Sequence, residues 1–170
     1  TGTFAQPVWV TQNPVPQCNT INDVHFIGVS TGYQAGNYGT ILKTTNGGTN
    51  WASQVSGTTE NLNSISFLNA ATGYIAGGLN NRVILKTTNG GLTWGQSISG
   101  GGSGFLAIGF ADVNPGIAGG YGGTLLRTTN GGVNWVLSVN TTATAYTSIW
   151  GTDAQTVYVT QTDGKILKTT

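Results

Sequence analysis

Four cationic side chains recur at matched places in this 170-residue sequence: Lys43, Lys86, Arg127 and Lys168, at steps of 43, 41 and 41 residues. They are four of only six basic residues. Set at one radius of a repeating fold, they would form a ring that binds an anion or an acidic partner. The other reading lays each long side chain over the neighbouring strand's Trp, a packing contact multiplied by duplication. Carboxylates are few: Asp23, Glu60, Asp112, Asp153 and Asp163. Glycoside hydrolysis needs two of them facing each other roughly 5–9.5 Å apart, and Asp23 and Asp112 are the two whose positions allow convergence. Asp153 and Asp163 fall in turn contexts, where Asp is ordinary. His25 and Cys18 occur once each. A nucleophile–base dyad needs a third group to orient it, and one His with one Cys supplies no zinc site. The expectation is no enzyme, no metal and no cofactor.

The elements that would position these groups come from one recurring stretch. Ile-Leu-Lys-Thr-Thr-Asn-Gly-Gly-Thr-Asn-Trp at 41–51 returns at 84–94 and, with small changes, at 125–135, and Ile-Leu-Lys-Thr-Thr closes the sequence at 166–170. Each copy reads as a hairpin. An apolar, β-branched segment enters an Asn-Gly turn and leaves through a Trp. Asn46 and Gly47 are expected at positive φ, with Gly48 as a bulge. Thr44 and Asn46 would hydrogen-bond nearby backbone N–H groups, and Trp51 would cover the loop. The same roles fall to Thr87, Asn89, Gly91 and Trp94, and to Thr128, Asn130, Gly132 and Trp135.

Four-stranded units at a period of about 40–45 residues signal a propeller. The sequence predicts an all-β propeller of four blades, each of four antiparallel strands, at 22–57, 64–99, 105–139 and 144–170. Residues 3–10, with Trp9 in the register of a loop Trp, would complete the last blade in a velcro closure of the two termini. Gly100–Gly104 reads as a flexible connector, and no segment carries a helical apolar stripe.

Charged residues make up 6% of the chain, against about 25% in ordinary domains. The net charge of +1 gives no basic stripe for nucleic acid. No apolar run is long enough to span a membrane, so no direct membrane insertion is expected. Little charge keeps copies apart, which suits an extracellular or surface-displayed protein that binds copies of itself. With no Met, the chain reads as a mature product or as a piece of something longer.

The pattern Thr-x-Asn-x-Gly-x-Asn/Thr-Trp resembles the Asp-box of BNR-repeat β-propellers, with Asn for Asp at 46, 89 and 130. With Gly-Tyr-x-Ala-Gly upstream, the whole unit is most similar to Ycf48-like propellers. The resemblance covers nearly the whole chain and implies the propeller fold. Relatives of this kind include sialidases, but that activity uses three arginines on a substrate carboxylate, and here only Arg82 and Arg127 exist. The leading expectation is a non-catalytic, secreted module whose loops bind a glycan or protein partner. Tyr38, Tyr121, Tyr146 and Trp150 are its candidate contacts, beside the four cations. Trp150 has a second reading, as the core counterpart of Phe26, Phe67 and Phe110. Two alternatives stand beside this function: a self-assembling subunit of an extracellular filament or layer, and, from the resemblance alone, an assembly factor for a membrane complex.

Overall fold

The computed structural model describes residues 8–11, 18–138, 144–153 and 155–169. Among them, fifteen strands form four antiparallel meanders. Blade one is β1 (Ile21–Phe26), β2 (Gly32–Gly36), β3 (Thr40–Thr44) and β4 (Ala52–Gln54). Blade two is β5 (Leu62–Phe67), β6 (Gly73–Gly77), β7 (Asn81–Thr87) and β8 (Gly95–Gly101). Blade three is β9 (Phe105–Phe110), β10 (Gly116–Gly120), β11 (Leu125–Thr128) and β12 (Val136–Leu137). Blade four has three described strands: β13 (Tyr146–Gly151), β14 (Val157–Gln161) and β15 (Ile166–Lys168). One short 3-10 turn, Tyr121–Gly123, is the sole helical element described.

The innermost strands pack in series, β1 on β5, β5 on β9 and β9 on β13, which makes this a β-propeller. No comparable packing joins β13 back to β1 among the described residues. Residues 3–7 and 170 of the expected velcro lie outside the described residues. Residues 8–11 carry no strand, and Trp9 is almost fully exposed, so it covers no loop.

Strand alternation builds the interfaces. Tyr33, Ala35 and Ile41 leave blade one on the side of Leu62, Ile65 and Leu85 of blade two. Tyr74, Ala76 and Ile84 repeat this toward Phe105, Ile108 and Leu126 of blade three. Ile117 and Leu125 meet Tyr146, Val157 and Val159 of blade four. The first Gly of each Gly-Tyr-x-Ala-Gly segment has a packing reason: a Cβ at Gly32 or Gly73 would stand 2.8 or 2.5 Å from the Phe26 or Phe67 ring of its own blade. The ring lies flat over that glycine and reaches its Trp edge-on, as in Phe67 with Trp94 at 5.9 Å.

Two expectations need correction. The left-handed residues of each loop are the two glycines, Gly47 with Gly48 at φ 68° and 88°, and the turn does not place Asn46 there. The Asn stays in ordinary backbone because its side chain is the organiser. The Gly100–Gly104 run is not a connector throughout, since Gly100 and Gly101 pair with Arg82 and Asn81 in the β7–β8 ladder.

Candidate functional site

The three intact loops share one hydrogen-bond design. Thr44 Oγ1 donates to Asn46 Oδ1 at 2.9 Å and accepts Gly48 N–H at 3.0 Å, while Asn46 Oδ1 also accepts Asn50 N–H at 2.9 Å. The loops at Thr87–Asn89 and Thr128–Asn130 repeat this within about 0.1 Å. The Thr is buried in every copy, so its hydroxyl satisfies loop N–H groups that water cannot reach.

The carbonyl of the first loop glycine is left pointing at the preceding blade, where two side chains claim it. Tyr33 Oη donates to Gly90 O at 2.7 Å and Lys43 Nζ to the same oxygen at 2.7 Å, with the ammonium 5.3 Å from the Tyr33 ring centre. Tyr74 and Lys86 hold Gly131 O at 2.9 and 2.6 Å in the same way. Each Tyr ring also stacks on the next blade's Phe, Tyr33 on Phe67 at 4.0 Å and Tyr74 on Phe110 at 3.9 Å. Lys43 and Lys86 are therefore blade-to-blade clamps. The aromatic beneath each is a Tyr of its own sheet and not the expected Trp. Arg127 is exposed beside Ile117 on the neighbouring strand, and Lys168 lies 5.7 Å from the Tyr158 ring. None of the four cations lines the main cleft.

That cleft, of about 510 Å³, runs between the innermost strands and is lined by His25, Ser64, Ser66, Leu106, Gly109, Ser148 and Trp150 among others. Its wall is laced at two joints. Asp23 accepts Val24 N–H and Ile65 N–H, both at 2.8 Å, and Ser64 Oγ accepts Ile108 N–H at 3.3 Å. Asn22 and Asn63 donate to Leu62 O and Phe105 O at 2.9 and 2.7 Å. Both oxygens of Asp23 are thus occupied. Asp112 does not converge on it; it caps Val113 N–H at 2.6 Å beyond β9, outside the cleft. The alternation of β9 explains this: the strand ends at Phe110, before Asp112 can face the axis. Exposed Asp153 accepts Gln155 and Thr156 N–H groups, which hold its carboxyl below the usual range. Lys165 does the same for Asp163 at 2.6 Å.

His25 is half-buried, 6.0 Å from Phe67. Burial lowers its pKa from the ordinary value, and nearby Asp23 opposes the shift with a smaller effect. The cleft presents an imidazole, hydroxyls and an indole.

The remaining expected contacts separate. Trp150 lies on the cleft and is 70% exposed, so it is no core counterpart of the Phe residues. It pairs with Tyr158 as His25 pairs with Tyr33, while Gly151 holds the place of Phe26. A one-residue offset on a strand turns a side chain to the other face. Tyr146 is fully buried in the blade three–four core, where no ligand reaches it, because it stands where Leu62 and Phe105 stand in their blades. Tyr38 and Tyr121 are exposed in the β2–β3 and β10–β11 connections, at the end opposite the Thr-Asn-Gly-Gly loops. Sequence reasoning missed His25, Ser66 and Ser148 as cleft residues. Superposing the repeats would have found them, since His25, Ser66, Gly109 and Trp150 share one register position.

Residues 3–100 match the family described as photosynthesis system II assembly factor YCF48. No match is found among curated proteins. Among solved structures, YCF48 bound to a D1 peptide is 22% identical with a TM-score of 0.69, over 92% of this chain and 55% of that one. YCF48 from Cyanidioschyzon merolae is 19% identical with a TM-score of 0.70, over 88% and 50%. A GH74 enzyme from Niastella koreensis is 18% identical with a TM-score of 0.66, over 87% and 28%. These likenesses speak to the fold. The chain spans about half the length of the YCF48 structures it matches.

Proposed function

Because the chain belongs to the photosynthesis system II assembly factor YCF48 family, we propose that it is a non-catalytic assembly factor that holds a segment of a membrane-complex subunit in its axial cleft. The observation that carries this reading is the cleft lining: an exposed indole at Trp150 with the hydroxyls of Ser66 and Ser148 and the half-buried imidazole of His25. An aromatic anchor in a neutral, polar-edged groove suits an uncharged peptide segment better than an anion. The peptide carried by one YCF48 structure supports the same class of partner. The only carboxylate lining the cleft, Asp23, has both oxygens committed to backbone N–H groups, which disfavours a role in hydrolysis.

The test is a peptide-display selection on the whole chain, counter-screened on Trp150→Ala. Uncharged sequences should be enriched, and binding should fall about tenfold in the variant, the loss typical of an interface anchor. Tyr38→Ala and Tyr121→Ala, at the other end, should bind as the parent does. Failure to enrich any peptide that distinguishes Trp150→Ala, together with glycan binding lost in the Tyr38 and Tyr121 variants, would move the site to the opposite face.

A further inference from the structure

Each Thr-Asn-Gly-Gly loop sets an asparagine directly before a glycine. In that pairing a main-chain nitrogen most readily reaches a side-chain amide, since glycine has no Cβ to obstruct it. The loops of Asn89 and Asn130 lie inside the chain, and each has its glycine carbonyl held by the Tyr and Lys of the preceding blade. Both asparagines are exposed. In both, Oδ1 receives only donors: the Thr hydroxyl and the N–H group of the residue four places on. A carboxylate oxygen in that place would accept the same bonds more strongly. The amide nitrogens differ. Asn89 Nδ2 donates to Thr93 Oγ1 at 2.8 Å. Asn134 stands at the matching place of the other loop, and Asn130 Nδ2 has no hydrogen-bond partner among the described residues.

The closed loop holds the reacting atoms in check. Gly131 N–H is donated to Asn114 O at 3.0 Å and Gly90 N–H to Ala71 O at 2.8 Å, so neither nitrogen is free to attack its neighbour's amide. Reaction needs a local opening that frees the glycine nitrogen and turns the side chain away from its donors. At Asn89 that opening must also break the Thr93 bond, made by the very nitrogen that has to leave. Asn130 carries no such bond.

We propose that Asn130 is a site of self-modification, converted to aspartate by intramolecular attack and then water, and that Thr93 guards Asn89 against the same reaction. Gly131 N attacks Asn130 Cγ and the new C–N bond closes a cyclic imide. The Cγ–Nδ2 bond breaks, and the amide nitrogen leaves as ammonia with the proton from Gly131 N. Water then opens the imide. Opening at Cγ restores the peptide link and leaves an aspartate, which the loop accepts through Thr128 Oγ1 and Asn134 N–H. The Lys86 ammonium on the adjoining Gly131 carbonyl is a neighbouring opposite charge. Opening at the main-chain carbonyl adds a methylene to the backbone, which the bonds of Gly131 to Lys86 and of Gly132 to Thr128 do not fit. Either product adds a negative charge to a chain whose net charge is only +1.

The test holds the full chain in mildly alkaline buffer at constant temperature and samples it over days by peptide mass mapping, which reads amide turning into acid at each site. Asn130 should convert about fivefold faster than Asn89, the factor that one hydrogen bond of ordinary net worth supplies. Thr93 and Asn134 are both exposed, so changing either spares the core. Thr93→Val should bring Asn89 up to the Asn130 rate. Asn134→Thr should slow Asn130 to the Asn89 rate, and each change should leave the other site alone. In urea the shared Thr-Asn-Gly-Gly sequence should give both sites one common, higher rate; a difference there would put the cause in the sequence and overturn the proposal. An encoded Asn130→Asp chain, the product itself, should melt no lower than the parent at neutral pH. Equal rates in the folded parent, an Asn89 rate indifferent to Thr93→Val, or a lower melting Asn130→Asp chain also overturns it. None of these readings involves the cleft, so the Trp150 experiment is decided separately.

Discussion

The joints between blades one and two and between two and three are tied by polar groups; among the described residues the joint between three and four shows chiefly apolar packing. At the first two, Asn22 and Asn63 reach a carbonyl, Asp23 and Ser64 reach an N–H group, and Tyr33–Lys43 and Tyr74–Lys86 close on a loop glycine. At the third, the same register places hold Leu106, Ala107, Ile117 and Arg127, and cohesion comes from the cluster around Tyr146 and Val159. The substitutions go together. A tyrosine hydroxyl or a lysine buried without an acceptor costs stability; at this joint three of the four places carry apolar side chains and Arg127 is exposed. Among the described residues the clamp forms at the first two joints, each time on the first glycine of the next blade's Thr-Asn-Gly-Gly loop.

The largest effect that sharpens this contrast is at the second joint. Tyr74→Ala removes a fully buried ring stacked on Phe110 and leaves Gly131 O with only Lys86. A loss of about 3–5 kcal/mol is expected, read by urea unfolding with tryptophan fluorescence. Arg127→Ala, at the exposed third-joint counterpart, should stay within about 0.5 kcal/mol. If the Arg127 variant loses as much as the Tyr74 variant, the distinction between the joints collapses.

An intermediate effect falls on the loops. Thr128→Ala strips Gly132 N–H and Asn130 N–H of their acceptor in a buried place, for about 1–3 kcal/mol. The matching change at Thr44 should remove similar stability but disturb no clamp, since Gly47 O meets none among the described residues. Equal sensitivity of the two variants to an added Lys86→Met change would break the link between loop and clamp.

The smallest effect is pH dependence, confined to the first joint, where His25 stands against Phe67 with Asp23 as its charged neighbour. Its folded pKa lies below the ordinary 6.5, so between those two values the unfolded chain binds more protons. Stability is then full above about pH 6.5 and declines as pH falls toward the folded pKa. Thermal unfolding from pH 7.5 to pH 5 should show the decline in the parent, and His25→Gln should flatten it. An unchanged slope in the variant would assign the acid response elsewhere.

The repeat and its fold were legible because Thr-Asn-Gly-Gly with a following Trp recurs three times, and local turn chemistry needs only neighbours in sequence. The Thr and Asn side chains do what their types predict. What could not be read was anything decided between sheets. Lys43 finds its acceptor 47 residues on, and nothing local marks that oxygen. Tyr146 looks like a surface aromatic until its pairing opposite Gln161 sets it inward. Trp150 sits one place from a Phe position, and a single offset on a pleated strand decides core or solvent. The cleft residues are small and polar, and only the register of four strands brings them together.

The clamps also impose a timetable. Tyr33 must wait for Gly90, and Tyr74 for Gly131, each 57 residues downstream. At about 5–20 residues per second of synthesis, blades one and two, once made, each carry an unanswered donor pair for several seconds, until the next blade emerges. Growth through the first three blades therefore proceeds with one adhesive end that is handed forward from blade one to blade two. A nascent chain of this design is always ready to accept the next repeat, and equally ready to accept the wrong one.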